Sequence, residues 1–75
     1  MNNNIFQTSS LNIVAWLMTK GYDVKDQKKI NNNNTIFYFE RDDNIQSAIN
    51  EYNNNIPLKE FISNFRKVKM MIKTL

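Results

Sequence analysis

The spacing of apolar residues divides the chain into segments of helical and of strand periodicity. Residues 11–18 are almost entirely apolar and follow Thr8 and Ser9, either of which can cap the free amides at the start of a helix. Gly21 suits the left-handed position just beyond the end of that helix. A helix with so small a polar face must be covered on nearly every side, or must partly meet another subunit.

Two strands are predicted next. Residues 22–30 begin with alternating apolar and polar side chains, as a half-exposed strand does, and residues 35–41 contain a continuous aromatic run. In the second strand Phe37 and Phe39 share one face, whereas Tyr38 lies on the other. The four asparagines between the two segments indicate the turn of an antiparallel hairpin.

Two further helices are predicted by apolar residues three and four positions apart. Asp42 or Asp43 can cap the first of them, whose one-sided apolar residues are Ile45, Ala48, Ile49 and Tyr52. The tract Asn53–Asn55 ends it, and Pro57 fits the first turn of the last helix. We expect the apolar stripe of this last helix to be buried, and its members are Leu58, Phe61, Ile62, Phe65, Val68, Ile72 and Leu75.

These elements predict a single α+β domain over residues 1–75, in which a small antiparallel sheet packs against three helices in the order (β)αββαα. The optional first strand is "NIFQT", because a hairpin alone is rarely stable. A chain of this size buries only about 60% of its unfolded surface. It has no cysteine for a disulfide, so its stability depends on a well-ordered core or on self-association.

The stretches "TSSLNIVAWLMTKGY", "IFYFE" and "IQSAINEYNNNIPLKEFISNFRKVKMMI" give the chain a resemblance to a known family. It resembles small phage, mobile-element and prokaryotic proteins that are known only as a domain of unknown function. The positions that match the family pattern are Leu11, Ala15, Met18, Gly21, Phe39, Glu40, Phe61, Arg66 and Lys69. The resemblance implies a phage or mobile-element origin and carries no activity with it.

Composition argues against an enzyme. The chain has no histidine and no cysteine, which removes the commonest general base, the strongest nucleophile and the usual transition-metal ligands. Its single glycine excludes a phosphate-binding glycine-rich loop. The acidic run Glu40–Asp43 fits a Mg²⁺ site in principle, but helix capping by Asp42 and Asp43 is the favoured interpretation. We therefore expect no catalytic residue, no cofactor and no metal.

Positive charge is concentrated in the last helix. The whole chain carries +3, whereas residues 57–75 hold five cations against the single carboxylate of Glu60. Three of the cations lie seven residues apart, and the full set is Lys59, Arg66, Lys67, Lys69 and Lys73. Such a set can contact nucleic-acid phosphates, and it also fits the solvated face that any amphipathic helix needs.

Two aromatic residues are candidates for an interface. Trp16 is expected mainly in the core, and Tyr38, on the second face of its strand, can stack on a nucleic-acid base or contact another subunit. Our hypothesis is a non-enzymatic phage or mobile-element protein that binds nucleic acid or a nucleoprotein through the basic helix. The alternatives are a protein inhibitor of a host defence nuclease, of the anti-CRISPR kind, and a structural homodimer. With no secretory leader or membrane segment visible, we expect a cytoplasmic protein.

Overall fold

The structure, a computed structural model, describes residues 4–74. It contains a three-stranded antiparallel sheet and three helices, which confirms the predicted α+β class and the order βαββαα. The elements are β1 (Ile5–Thr8), α1 (Leu11–Thr19), β2 (Val24–Asn31), β3 (Asn34–Glu40), α2 (Ile45–Asn53) and α3 (Ile56–Lys73). The N-terminal segment is therefore a strand, as the instability of a lone hairpin suggested.

The aromatic strand β3 lies at the centre of the sheet, in the spatial order β1-β3-β2. Phe39 of β3 pairs with Phe6 of β1 on one side and with Val24 of β2 on the other. These three side chains share one face of the sheet, because directly paired residues point the same way. That face is the one covered by helices, and the opposite face, with Tyr38, is not.

The hairpin turn is shorter than the asparagine tract. Asn31 and Asn34 still pair across the two strands, so only Asn32 and Asn33 form the loop. Among the described residues, no residue other than glycine has a positive φ. Instead, the Asn31 Oδ1 atom accepts a hydrogen bond of 2.9 Å from the Asn33 amide. The side chain of asparagine, and not a left-handed backbone, therefore shapes this turn.

The core lies between the sheet and the helices α1 and α2. Leu17 of α1, Phe39 of β3 and Ile45 of α2 are completely buried. The predicted stripe of α2 is confirmed, since Ala48 and Tyr52 are also buried and Ile49 is half-buried.

The capping residues of the first two helices differ from the prediction. Ser10, and not Thr8 or Ser9, caps α1, because its Oγ atom accepts a hydrogen bond of 3.2 Å from the Ile13 amide. Neither Asp42 nor Asp43 occupies the N-cap position of α2, which falls on Asn44. Serine, aspartate and asparagine are favoured about equally at an N-cap, so propensity alone does not distinguish Ser9 from Ser10 or Asp43 from Asn44. The prediction for Gly21 is confirmed by its φ of 101°.

The predicted burial of the α3 stripe is wrong. Phe61, Phe65, Val68 and Ile72 are 65%, 54%, 49% and 63% exposed, respectively. Leu58 and Ile62 are only half-buried, and Leu75 lies outside the described residues. Helix α1 is not covered on nearly every side within the single chain, because Leu11 and Met18 are 69% and 56% exposed, and the alternative that part of it meets another subunit stays a prediction. The body of the domain is too small to cover both helices.

Candidate functional site

Helix α3 begins where the last asparagine tract ends. The Asn55 Oδ1 atom accepts a hydrogen bond of 3.1 Å from the Leu58 amide, and Pro57 occupies the first turn. Leu58 and Ile62 then approach Trp16 along the side of α1. The first two turns of α3 therefore attach the helix to the body, and the later turns extend past it.

Four of the five predicted cations lie on one side of α3. Lys59, Arg66 and Lys73 follow one line, because seven residues make almost two turns of a helix, and Lys69 lies beside that line. Lys67 projects about 100° away from Arg66 around the helix axis. All five are exposed. We call Lys59, Arg66 and Lys73 the basic line.

Carboxylates do not neutralise these cations within residues 4–74. The salt bridge found among those residues, with 4.0 Å as the limit for the N–O distance, joins Lys20 to Glu51 at 2.9 Å and involves none of the five cations. The ammonium of Lys59 instead donates to the backbone oxygen of Asn53, at 3.3 Å. The ammonium of Lys69 lies 5.4 Å from the ring centre of Phe65. The basic line thus keeps its positive charge available to a partner.

Trp16 joins α1 to α2. Its indole Nε1 donates a hydrogen bond of 2.8 Å to the Ala48 backbone oxygen, and its ring centre lies 6.1 Å from that of Tyr52. The ammonium of Lys20 covers the indole at 5.4 Å. These contacts agree with the structural role favoured for this tryptophan.

Tyr38 lies on the uncovered face of the sheet. It is half-buried and borders a shallow depression together with Ile5 and Lys28. Ile5 is 51% exposed on the same face. No residue of α3 lines this depression, so Tyr38 and the basic line do not share it.

The acidic run between β3 and α2 is held in place by hydrogen bonds to Asp42. The Asp42 Oδ1 atom accepts hydrogen bonds from the Tyr22 hydroxyl at 2.8 Å and from the Asn44 amide at 2.9 Å. The hydrogen bond from Tyr22 is the main cause that lowers the pKa of Asp42. Desolvation, followed by the hydrogen bond to Asp42, raises the pKa of Tyr22. Over residues 4–74, no group of three acidic side chains could hold a metal ion.

An apolar groove between α1 and α3 is the feature that the sequence interpretation missed. Its volume is about 560 Å³. Leu11, Ala15, Phe61 and Phe65 border it, together with the two cations Arg66 and Lys69. The spacing of the α3 stripe predicted a helix with one apolar side, but spacing alone does not show whether the same chain covers that side.

These features define a small α+β protein whose C-terminal helix carries an exposed basic line and an open apolar groove. The sequence profile of the domain of unknown function DUF5659 matches residues 3–74, and the chain belongs to that family. No curated protein and no solved structure matches it. In the described part of the chain, no helix is long and apolar enough to cross a membrane.

Proposed function

We propose that this chain is a non-enzymatic binding protein that contacts the phosphates of a nucleic acid, free or in a nucleoprotein, through the basic line of α3. The observation that carries the proposal is the exposure of Lys59, Arg66 and Lys73 on one side of a helix, with no carboxylate within 4.0 Å among residues 4–74. A phage or mobile-element origin and a cytoplasmic location are part of the proposal.

The geometry of the basic line suits a backbone contact. Successive members are about 10 Å apart and the line spans roughly 21 Å, since an α-helix rises 1.5 Å per residue. Each phosphate that a cation neutralises releases counterions, so affinity of this kind decreases as salt increases. Such a line provides attraction without reading bases, because phosphate contacts carry no sequence information.

Binding measured across salt concentrations tests the proposal. Fluorescently labelled duplex DNA and single-stranded RNA are titrated with the full chain between 20 and 200 mM salt by fluorescence anisotropy. We expect affinity to fall with salt, with a logarithmic slope of about −0.9 for each duplex phosphate contacted. An absence of binding to both probes at 20 mM salt would refute the proposal.

A matched pair of double variants locates the contact. Arg66→Glu with Lys73→Glu reverses two charges on the basic line, and Lys28→Glu with Lys29→Glu makes the same charge change on exposed residues of β2. The α3 variant should weaken binding more and reduce the salt slope by about 2, since each lost phosphate contact removes roughly one unit. Equal losses in both variants would assign the binding to overall charge.

A second candidate function is the capture of a protein, such as a host defence nuclease that the chain would inhibit. The exposed apolar residues of α3 favour it, because a contiguous apolar patch commonly marks an interaction site. To test it, the chain is used as bait in host lysate from which an added nuclease has removed the nucleic acids. The chain should then retain a host defence nuclease, and it should lower the activity of that enzyme once it is purified. Loss of all captured protein after nuclease treatment would favour the nucleic-acid function.

A further inference from the structure

The described chain is extended for its size. Its radius of gyration is 14.5 Å, whereas a compact chain of this length has about 11 Å. Its extents are 51 × 31 × 15 Å, and the longest element is α3. None of the α3 residues is fully buried, and apart from the half-buried Leu58 and Ile62, residues 4–74 leave the apolar side of this helix largely uncovered.

The apolar side of α3 has the spacing of a coiled-coil seam. Successive members are separated by three, four, three and four residues, which is the heptad pattern of helices that pair with other helices. We call these residues the α3 seam, and they are Leu58, Phe61, Phe65, Val68 and Ile72. The rings of Phe61 and Phe65 are stacked, with centres 6.2 Å apart and planes 9° from parallel. The seam is thus a continuous apolar ridge.

Helix α1 adds a second wall beside the seam. The exposed Leu11 and Ala15 border the same groove as Phe61 and Phe65. A seam of about two and a half heptads is shorter than those that sustain an isolated coiled coil. A helix that enters the groove, however, contacts α1 and α3 together and so buries more apolar surface than α3 alone could cover.

We propose that a second copy of this chain covers the α3 seam, with its own α3 lying in the groove between α1 and α3. The pairing is isologous, so each copy offers the same surface and receives the same surface. The dimer does not depend on the nucleic-acid function proposed above, because the seam and the basic line lie on different sides of the helix and only Arg66 of the line borders the groove.

The exposed apolar area of one copy is close to the area that a dimer interface needs. The six side chains concerned are 49% to 69% exposed, and they are Leu11, Phe61, Phe65, Val68, Met71 and Ile72. Together they expose on the order of 700 Å² per copy, which approaches the roughly 800 Å² that each partner contributes to a stable protein interface.

The charges of α3 allow a second copy to pair along the seam. Lys59 and Lys73 of the basic line lie about 120° from the seam around the helix axis, whereas Arg66 borders the groove together with Lys69. The positions that flank the seam hold only one charge, that of Lys69, and the others are Ile62, Asn64 and Met71. Two copies can therefore meet along the seam without rows of like charges facing each other, and Lys59 and Lys73 of each copy stay exposed.

Sedimentation equilibrium of the full chain between 1 and 200 μM tests the proposal. The unmodified chain should be dimeric at the upper end of this range, whereas Phe65→Glu should raise the dimer dissociation constant at least about a hundredfold. This estimate reflects two buried glutamates in each dimer, each replacing a central aromatic contact. Ile72→Glu at the far end of the seam should act in the same direction.

Met70→Glu is the matched control. Met70 is 62% exposed on the same helix, but it projects from the side opposite the seam, so the dissociation constant should change less than about threefold. Circular dichroism should show the same helical content for all variants, because the seam side chains are exposed in the single chain. A monomer at 200 μM, or equal effects of Phe65→Glu and Met70→Glu, would overturn the proposal. Unchanged nucleic-acid binding by a monomeric Phe65→Glu chain would leave the proposed function intact.

Discussion

Asparagine side chains shape several joints of this chain. Asn31 closes the hairpin turn and Asn55 caps α3. In both cases the side-chain oxygen accepts a hydrogen bond from a backbone amide. Asn54 donates from its side chain to the Asn50 oxygen at the end of α2. The sequence predicted that the asparagine tracts are joints, and asparagine chemistry explains why. It did not predict which member of a tract acts, because neighbouring asparagines have the same propensities.

Replacement of Asn55 by alanine should destabilise the protein by about 1 kcal/mol, the usual effect of losing a side-chain N-cap. Urea denaturation followed by circular dichroism measures this change in the free energy of unfolding. Asn53→Ala removes the same side chain two residues earlier, at the last residue of α2, and should change stability by less than about 0.5 kcal/mol. Equal effects of the two variants would contradict the capping role.

Replacement of Tyr22 by phenylalanine should raise the pKa of Asp42, because the hydrogen bond from Tyr22 is the main cause that lowers it. A lowered pKa in the folded state means that ionised Asp42 stabilises the fold above the pKa of its unfolded form, about 3.9. That stability is lost as pH falls through the lower, folded pKa. Carboxyl ¹³C NMR titration gives the midpoint, and Tyr38→Phe should leave it unchanged. An unmoved midpoint in Tyr22→Phe would exclude the coupling.

Helices α1 and α2 were predictable in different degrees. The residues of α2 at positions 45, 48, 49 and 52 form one buried side, as their spacing indicated. Helix α1 is apolar nearly all round, so its spacing could not identify the side that faces the sheet. The structure shows that Val14 and Leu17 face the core, and that Leu11 and Met18 do not.

Two leucines of α1 give a matched test of this orientation. Leu17 is fully buried and Leu11 is 69% exposed. Leu17→Ala should reduce the free energy of unfolding by about 2–5 kcal/mol, because it leaves a cavity in the core. Leu11→Ala should cost less than about 0.5 kcal/mol in the single chain. Thermal and urea unfolding are compared at chain concentrations where light scattering shows monomers, and similar losses would contradict the assigned orientation.

Helix α3 shows where prediction from one sequence ends. Its length, its start at Pro57 and its apolar stripe were all predictable. The burial of that stripe was not, because the same periodicity serves a core within one chain and a contact between chains. The candidate basic residues could be identified from charge alone. Their position relative to the groove depends on how α3 lies beside α1, which the sequence does not show.

At the scale of the whole molecule, a small core supports a projecting helix. Among residues 4–74, six hydrophobic residues are buried, and they are Val14, Leu17, Phe39, Ile45, Ala48 and Tyr52. A core of this size leaves a domain of 75 residues with modest stability unless association adds to it. The proposed dimer therefore has a thermodynamic consequence for the entire chain, and not only for α3.

Thermal unfolding should accordingly depend on concentration. Binding that occurs only in the folded state stabilises that state, so the midpoint temperature should rise as the chain concentration increases from 2 to 200 μM. In Phe65→Glu the midpoint should be independent of concentration, and Met70→Glu should behave like the unmodified chain. Differential scanning fluorimetry without added dye, which follows Trp16, measures all three. A constant midpoint for the unmodified chain would argue against dimer-linked stability.

The central position of β3 has a consequence for synthesis on the ribosome. Ile5 of β1 pairs with Glu40, whereas the β2–β3 hairpin pairs residues much closer in sequence. β1 leaves the ribosome before β3 and therefore has no partner in this sheet until β3 has followed it, and loop closure over such a separation slows its docking. During that interval β1 is an unpaired strand of a nascent chain, and the hairpin, made of neighbouring segments, can form before the sheet is complete.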